Sequence, residues 1–242
     1  MGRYRAMEFI QRVYKKTRIM KKKVFVFIFV RAGSKGIPNK NLKKINDKSL
    51  IEISLQVAKK LNPDKIFISS DSNKIEILAK KNSVNFIRRP KYLCTDKSPE
   101  ILSWKHAINK VNENFDIFVS LPVTSPLRNV IDVKKCIKKK ITQKNDIVVC
   151  VTRSKKNPYF NMLFKKNDYY KRIIPSQINS RQEAPIAFDL TTVSYVTSPS
   201  YVLKTKNILD GKVQGVEIPF ERSIDIDDKF DLNLSKYLMT NR

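Results

Sequence analysis

Two rhythms of apolar and polar residues alternate along most of this chain. From Val24 to Val30 seven apolar residues, VFVFIFV, run without interruption, as in a strand buried on both faces of a parallel sheet. After a polar loop, SLIEISLQVAKKLN spaces its apolar residues for one face of a helix, and KIFISSD is a β-rich run that ends in small polar residues. The alternation continues with NKIEILAKKN as helix, VNFI as strand, KSPEILSWKHAINKVNE as helix, FDIFVSL as strand, VIDVKKCIKKK as helix and DIVVCV as strand. Repeated β–loop–α–β units predict an α/β, Rossmann-like fold: a three-layer α/β/α sandwich around a mostly parallel sheet with right-handed crossovers.

In such sheets ligands bind beyond the carboxyl ends of the strands, and the polar stretches RAGSKG, SSDS, RRP, PVTSPLR and TRSKKNPYF all fall there. From about 157 to 188 the alternation stops. Aromatic and apolar residues flank KKND, which predicts a projecting β-hairpin, and its exposed Tyr, Phe and Ile point to a dimerisation arm. Near the end, SIDIDDKFDLNL alternates Asp225 and Asp227 with Ile224 and Ile226. On a strand both carboxylates point the same way and can share a divalent cation, while Asp228 opens a helix.

Charge changes this picture less than its size suggests. The formal net charge is +27, but residues 1–23 hold nine Lys/Arg against one acid, and the remaining bases are scattered among Asn and Ile without interleaved aromatics. That pattern fits a phosphate-bearing small substrate better than nucleic acid. No apolar run is long enough to span a bilayer, so no membrane role is expected. Three cysteines, Cys94, Cys136 and Cys150, without a CxxC pair, argue for a reducing cytoplasm and against a disulfide frame or structural zinc. With His106 the single histidine, chemistry falls to carboxylates, Lys, Arg and backbone amides.

The stretch that follows the first strand decides among three readings. MKKKVFVFIFV resembles the start of a signal peptide, but the apolar run is short and no small-x-small cleavage site follows. A Walker loop needs glycine where Pro38 stands and Lys-Ser/Thr beyond it, and the dinucleotide fingerprint lacks a third glycine. What remains is a strand end with two glycines and Arg31, Lys35 and Lys40 within ten residues, a loop able to wrap a triphosphate with amides and cations.

RAGSKGIPNKN, ISSDS, IRRPKYLCTD, PVTSPLRNVID, RQEAP and SIDIDDKFD, in that order from about Val24 to Asp231, resemble the acylneuraminate cytidylyltransferases, the CMP-sialic acid synthetases. The resemblance implies a nucleotidyltransferase fold and attack of a nonulosonic acid's anomeric hydroxyl on the α-phosphorus of CTP, giving the CMP-sugar and pyrophosphate. It implies that Arg31, Ser34, Lys35, Lys40 and Asn41 hold CTP, with Arg89 near the nucleotide. It implies Mg²⁺ on Asp225 and Asp227, with Asp231 in support, and Arg31, Lys40 and Asp227 as the catalytic set. Arg181 of RQEAP resembles a sugar-carboxylate contact, delivered in trans by the arm of a homodimer.

Two departures fall in the sugar pocket. Pro122-Val123 precedes TSPLR where sialate-specific members have Gln-Pro, and Thr191 and Thr192, expected to touch the sugar, begin TTVSY where they have NGAIY. The NPYFN and PVTSPLR stretches resemble members acting on legionaminate-type or other bacterial nonulosonates. A CMP-Kdo-type or other sugar nucleotidyltransferase, an inactive homologue and a basic nucleic-acid-binding protein are the alternatives. Residues 1–19 read as a mobile basic extension, and 20–242 as a single domain with the arm at about 157–188.

Overall fold

A computed structural model describes residues 22–33 and 37–241. The expected extension at 1–19 and two expected nucleotide contacts, Ser34 and Lys35, lie outside the described residues. The first half runs β1 (Val24–Phe29), the short hairpin β2 (Lys44–Ile45) and β3 (Lys48–Ser49), α1 (Leu50–Leu61), β4 (Lys65–Ser70), α2 (Asn73–Lys81), β5 (Asn85–Arg88), α3 (Glu100–Lys110) and β6 (Ile117–Ser120). The second runs α4 (Val130–Thr142), β7 (Ile147–Arg153), β8 (Leu163–Lys166), β9 (Tyr169–Arg172), β10 (Phe188–Thr197), α5 (Pro199–Lys204), β11 (Val213–Glu217) and α6 (Lys229–Thr240).

Seven strands form one sheet in the order β11-β7-β10-β6-β1-β4-β5. All neighbours are parallel except β10, which runs antiparallel between β6 and β7. This is the expected α/β architecture, with one reversed strand that the apolar pattern did not announce.

Strand β1 shows how residue choice builds the layers. Its odd positions, Phe25, Phe27 and Phe29, face one side, and its even positions, Val26 and Ile28, face the other, as the two-residue period of a strand requires. The aromatic face stacks Phe27 against Phe67 and Phe118, with Trp104 of α3 beyond, while the aliphatic face packs with residues of α1, α2 and α4. Helix α1 begins with a capping box in which Ser49 accepts from Glu52 and the Glu52 carboxylate accepts from Ser49 N, so its first turn is satisfied locally. No described helix is long and apolar enough to cross a membrane.

The interrupted region contains the expected hairpin. Strands β8 and β9 pair antiparallel around Asn167 and Asp168, with Asn167 in the left-handed region at φ 54°. Leu163, Phe164, Tyr169 and Tyr170 are exposed on it.

The terminal acidic segment departs from expectation. Residues 223–228 form no strand, although Ile224 and Ile226 are buried and Asp227 is exposed. One backbone bond, Ile226 N to Thr124 O at 2.9 Å, replaces a ladder. A buried bidentate ion pair anchors the segment upstream: Arg222 Nε and Nη2 donate to Asp132 Oδ2 and Oδ1 at 2.8 and 3.0 Å, and the Asp132 side chain is 1% exposed. Cys136 and Cys150, far apart in sequence, meet as buried free thiols with their sulfurs 3.5 Å apart.

Removing Arg222 strands the Asp132 charge in the core. Arg222→Met is expected to cost about 3 kcal/mol in urea unfolding, with much of the loss recovered when Asp132→Asn is added.

Candidate active site

The carboxyl ends of β1, β5 and β6 converge on a cleft of about 450 Å³. Its lining includes Arg31, Lys40, Asn41, Arg89 and Asp227, five residues singled out in the sequence. Each is placed by a strand end or a short turn.

Arg31 follows β1 and pairs with Asp96 across the cleft mouth. Its backbone is held on both sides: Val30 N donates to Ser69 O at 3.0 Å, and Ala32 N donates to Asp71 Oδ1 at 2.8 Å. Asn39 takes a left-handed φ of 54° and starts the 3-10 turn of Lys40–Leu42. That turn buries Asn41, whose Nδ2 donates to Arg31 O at 3.0 Å. Asn41 therefore fastens the loop to itself as well as lining the cleft.

Lys40 reaches the opposite wall, 187 residues away in sequence. Its ammonium donates to Ile226 O at 2.5 Å and lies 3.3 Å from Asp227 Oδ1. Its side chain is 14% exposed and that of Asp227 is 79% exposed, so the pair spans from cleft wall to solvent. Asp231 steadies the far side: its Oδ2 accepts from Asp227 N at 3.0 Å and Asp228 N at 3.1 Å, while Asp228 caps α6. The acidic residues at this helix start are both cap and site.

Arg89 is buried beneath the cleft. Its Nη2 donates to Ser69 O at 2.6 Å, its Nε to Ser69 Oγ at 3.2 Å, and its guanidinium lies 5.5 Å from the centre of the Phe29 ring. Desolvation lowers its pKa, and Cys94, Asp71 and Glu100 oppose that.

Glu100 was not among the residues singled out in the sequence. As an acid at the start of α3 it reads as an ordinary first-turn residue. The residue is exposed, lines the cleft, and its carboxyl accepts from Trp104 Nε1 at 3.1 Å. Titration follows the carboxyl's own surroundings, and desolvation pushes its pKa up, with Asp225 adding to the rise.

Asp225 lies mostly out of water behind Asp227. Desolvation raises its pKa and Asp227 raises it further, while hydrogen bonds from Thr124 and Thr192 lower it. Its Oδ1 is buried without a protein partner. Among the described residues no three His, Cys, Asp or Glu side chains gather as a ready metal cage. A carboxylate pair with one unsatisfied buried oxygen nonetheless fits Mg²⁺, which commonly takes one or two protein carboxylates and completes its shell with phosphate and water.

The remaining sequence candidates lie apart. The Thr191 hydroxyl donates to Cys150 O at 2.9 Å and ties β10 to β7. The Thr192 hydroxyl meets Ser125 Oγ at 2.6 Å. Arg181 is exposed on the projecting segment and does not line the cleft of its own chain.

Comparison with known proteins bears on the family and the fold. The post-translational flagellin modification protein B of Campylobacter coli is 28% identical over 222 residues, covering 89% of this chain and 94% of its own length. The CMP-N,N'-diacetyllegionaminic acid synthase of Campylobacter jejuni is 28% identical over 220 residues, covering 88% and 93%. The N-acylneuraminate cytidylyltransferase of Escherichia coli is 28% identical over 226 residues, with 89% of this chain matched to 52% of that protein. Among solved structures, a CMP:2-keto-3-deoxy-manno-octonic acid synthetase complexed with CTP superposes with a TM-score of 0.69 at 15% identity, covering 90% of this chain and 99% of that one. The 4-diphosphocytidyl-2C-methyl-D-erythritol synthase of Anaerococcus prevotii gives 0.65 at 15% identity, with the same coverage. At that identity these two establish the shared fold. The family model for cytidylyltransferases matches residues 25–188, which holds β1 and its loop, the β6 turn and the β8–β9 hairpin, and the chain belongs to that cytidylyltransferase family.

Proposed function

We propose that this protein is a CMP-nonulosonate synthetase, which transfers the cytidylyl group of CTP to a sialic-type nonulosonic acid and releases pyrophosphate. The observation that carries this reading is the convergence of Lys40 with Asp227 and the Ile226 carbonyl on one cleft wall. It brings a cationic phosphate loop against an acidic pair, the two halves that nucleotidyl transfer needs. The names of the relatives in Campylobacter and Escherichia coli support the nonulosonic acid as the acceptor.

The reaction forms a bond from the sugar's anomeric oxygen to the α-phosphorus and breaks the bond from that phosphorus to the bridging oxygen. The electron pair leaves with pyrophosphate, and the hydroxyl proton passes to solvent. No covalent enzyme intermediate is required, so the side chains position reactants and neutralise charge. Arg31 and Lys40 present cations to the triphosphate, and Asn41 holds the loop that carries them. Arg89, packed on Phe29, adds a fixed positive charge under the nucleotide. Asp225 and Asp227 would hold Mg²⁺, which would supply Lewis-acid neutralisation of phosphate oxygens.

The sugar carboxylate calls for a guanidinium, and Arg181 meets that need from the arm of a second copy in a homodimer. Exposed Leu163, Phe164, Tyr169 and Tyr170 on the hairpin suit burial in such a pair. Pro122 and Val123 line the cleft with apolar surface, which favours a deoxy, legionaminate-type sugar over N-acetylneuraminate.

Pyrophosphate release from CTP and Mg²⁺ against N-acetylneuraminate, a diacetylated legionaminate and Kdo tests the proposal. The legionaminate is expected to give the highest kcat/KM, and Asp227→Asn to lower kcat at least about a hundredfold. No turnover with any acceptor, or an undiminished rate in the variant, contradicts it. Glu100 adds a pH dependence. Its raised pKa means that it ionises as pH climbs and then sets a negative charge against the triphosphate. CTP affinity is expected to weaken above that pKa by a factor of the order of ten, and Glu100→Gln to abolish the alkaline loss in a binding titration from pH 5 to 9.

A further inference from the structure

The turn that follows β6, residues 121–128, supplies one wall of the cleft, because Pro122, Val123 and Thr124 line it. A wall made of loop holds its shape only if its backbone groups find partners. Leu121 N donates to Phe27 O at 2.9 Å, which continues the sheet for one residue beyond the strand. Thr124 O accepts from Ile226 N at 2.9 Å and stitches the wall to the acidic segment. The carbonyls on either side of that stitch go to a single side chain. Arg128 Nη2 donates to Pro122 O, and Arg128 Nε donates to Ser125 O at 3.0 Å.

Arg128 is 5% exposed and does not itself line the cleft. Taking a guanidinium out of water is costly, and here its protons are spent on the backbone of the wall. The planar fork spans both carbonyls at once, which the single ammonium of a lysine does not reproduce. Pro122 adds stiffness of its own, because its ring fixes φ while Arg128 holds its carbonyl.

We propose that Arg128 is a positioning residue for the acceptor: by clamping Pro122 O and Ser125 O it holds the Pro122–Thr124 wall in the one shape against which the sugar packs. This rests on the reading of the cleft as a CMP-nonulosonate synthetase site with the acceptor on the side of Pro122 and Val123. The nucleotide side has separate supports. Lys40 meets Ile226 O and Asp227, and their segment is held by the Arg222–Asp132 pair and by Asp231. Loss of the clamp therefore falls on the acceptor and spares CTP.

The test uses the full chain with CTP and Mg²⁺. It measures CTP affinity by calorimetry without acceptor, and the KM of the best acceptor sugar by pyrophosphate release at saturating CTP. Arg128→Lys keeps the charge and loses the fork, whereas Arg128→Met leaves no charge in the core. Each is expected to raise the acceptor KM about tenfold, with CTP affinity within about twofold of wild type. Arg128→Met decides the matter if Arg128→Lys loses its native circular dichroism. A wild-type acceptor KM in a folded variant overturns the proposal, and so does an equal weakening of CTP and acceptor, which would make the clamp a support of the fold alone. A wild-type protein that releases no pyrophosphate with any acceptor overturns the functional reading, and the positioning role with it.

Discussion

The structure depends on the burial of β1. This strand pairs in parallel with β4 on one side and β6 on the other, so its peptide groups are satisfied within the sheet. Phenylalanines on one face and aliphatic residues on the other fix both helical layers against it. A strand held on four sides leaves one route for the chain at its end, over the carboxyl edge of the sheet. The nucleotide loop is therefore delivered to the same edge as the β4, β5 and β6 turns, and every cleft residue inherits its position from that constraint.

The cleft is also where the fold tolerates its least comfortable groups. Arg89 and Arg128 lie largely out of water and are lowered by desolvation, Arg128 to about 9, while Glu100 and Asp225 are raised by it. Opposite signs gathered in one enclosed floor offset each other at a distance, and the backbone carbonyls of Ser69, Pro122 and Ser125 take the guanidinium protons directly. A triphosphate and its cation entering above this floor meet charges that are already fixed in place. Little reorganisation is then needed as charge moves toward the leaving pyrophosphate.

Much of this was legible in the sequence, for physical reasons that differ by element. Strands and helices announced themselves because burial on a sheet or a helix face imposes a period, as in the seven residues of Val24 to Val30. The hairpin was legible because exposed aromatics flank a two-residue turn. The reversed strand β10 was not, since an apolar run carries no direction. The segment at 223–228 kept its alternation of buried and exposed residues without pairing as a strand, because contacts from Thr124, Lys40, Asp231 and the adjacent Arg222–Asp132 pair hold it instead. Arg31, Lys40 and Asp227 were singled out by their motifs and line one cleft, where Lys40 pairs with Asp227 and Arg31 with Asp96. Glu100 was not, because its raised pKa comes from burial and from Asp225, distant in sequence and brought near only by the fold.

The central claim is that the loop after β1 and the acidic segment before α6 act on one ligand. A double-mutant cycle on CTP binding in the presence of Mg²⁺, with Lys40→Met, Asp227→Asn and their combination, measures it most directly. The account predicts that the two effects are coupled by at least about 1 kcal/mol, since both residues meet the same phosphates and each other. Effects that add to within about 0.3 kcal/mol would show that the two segments work independently, and would contradict it.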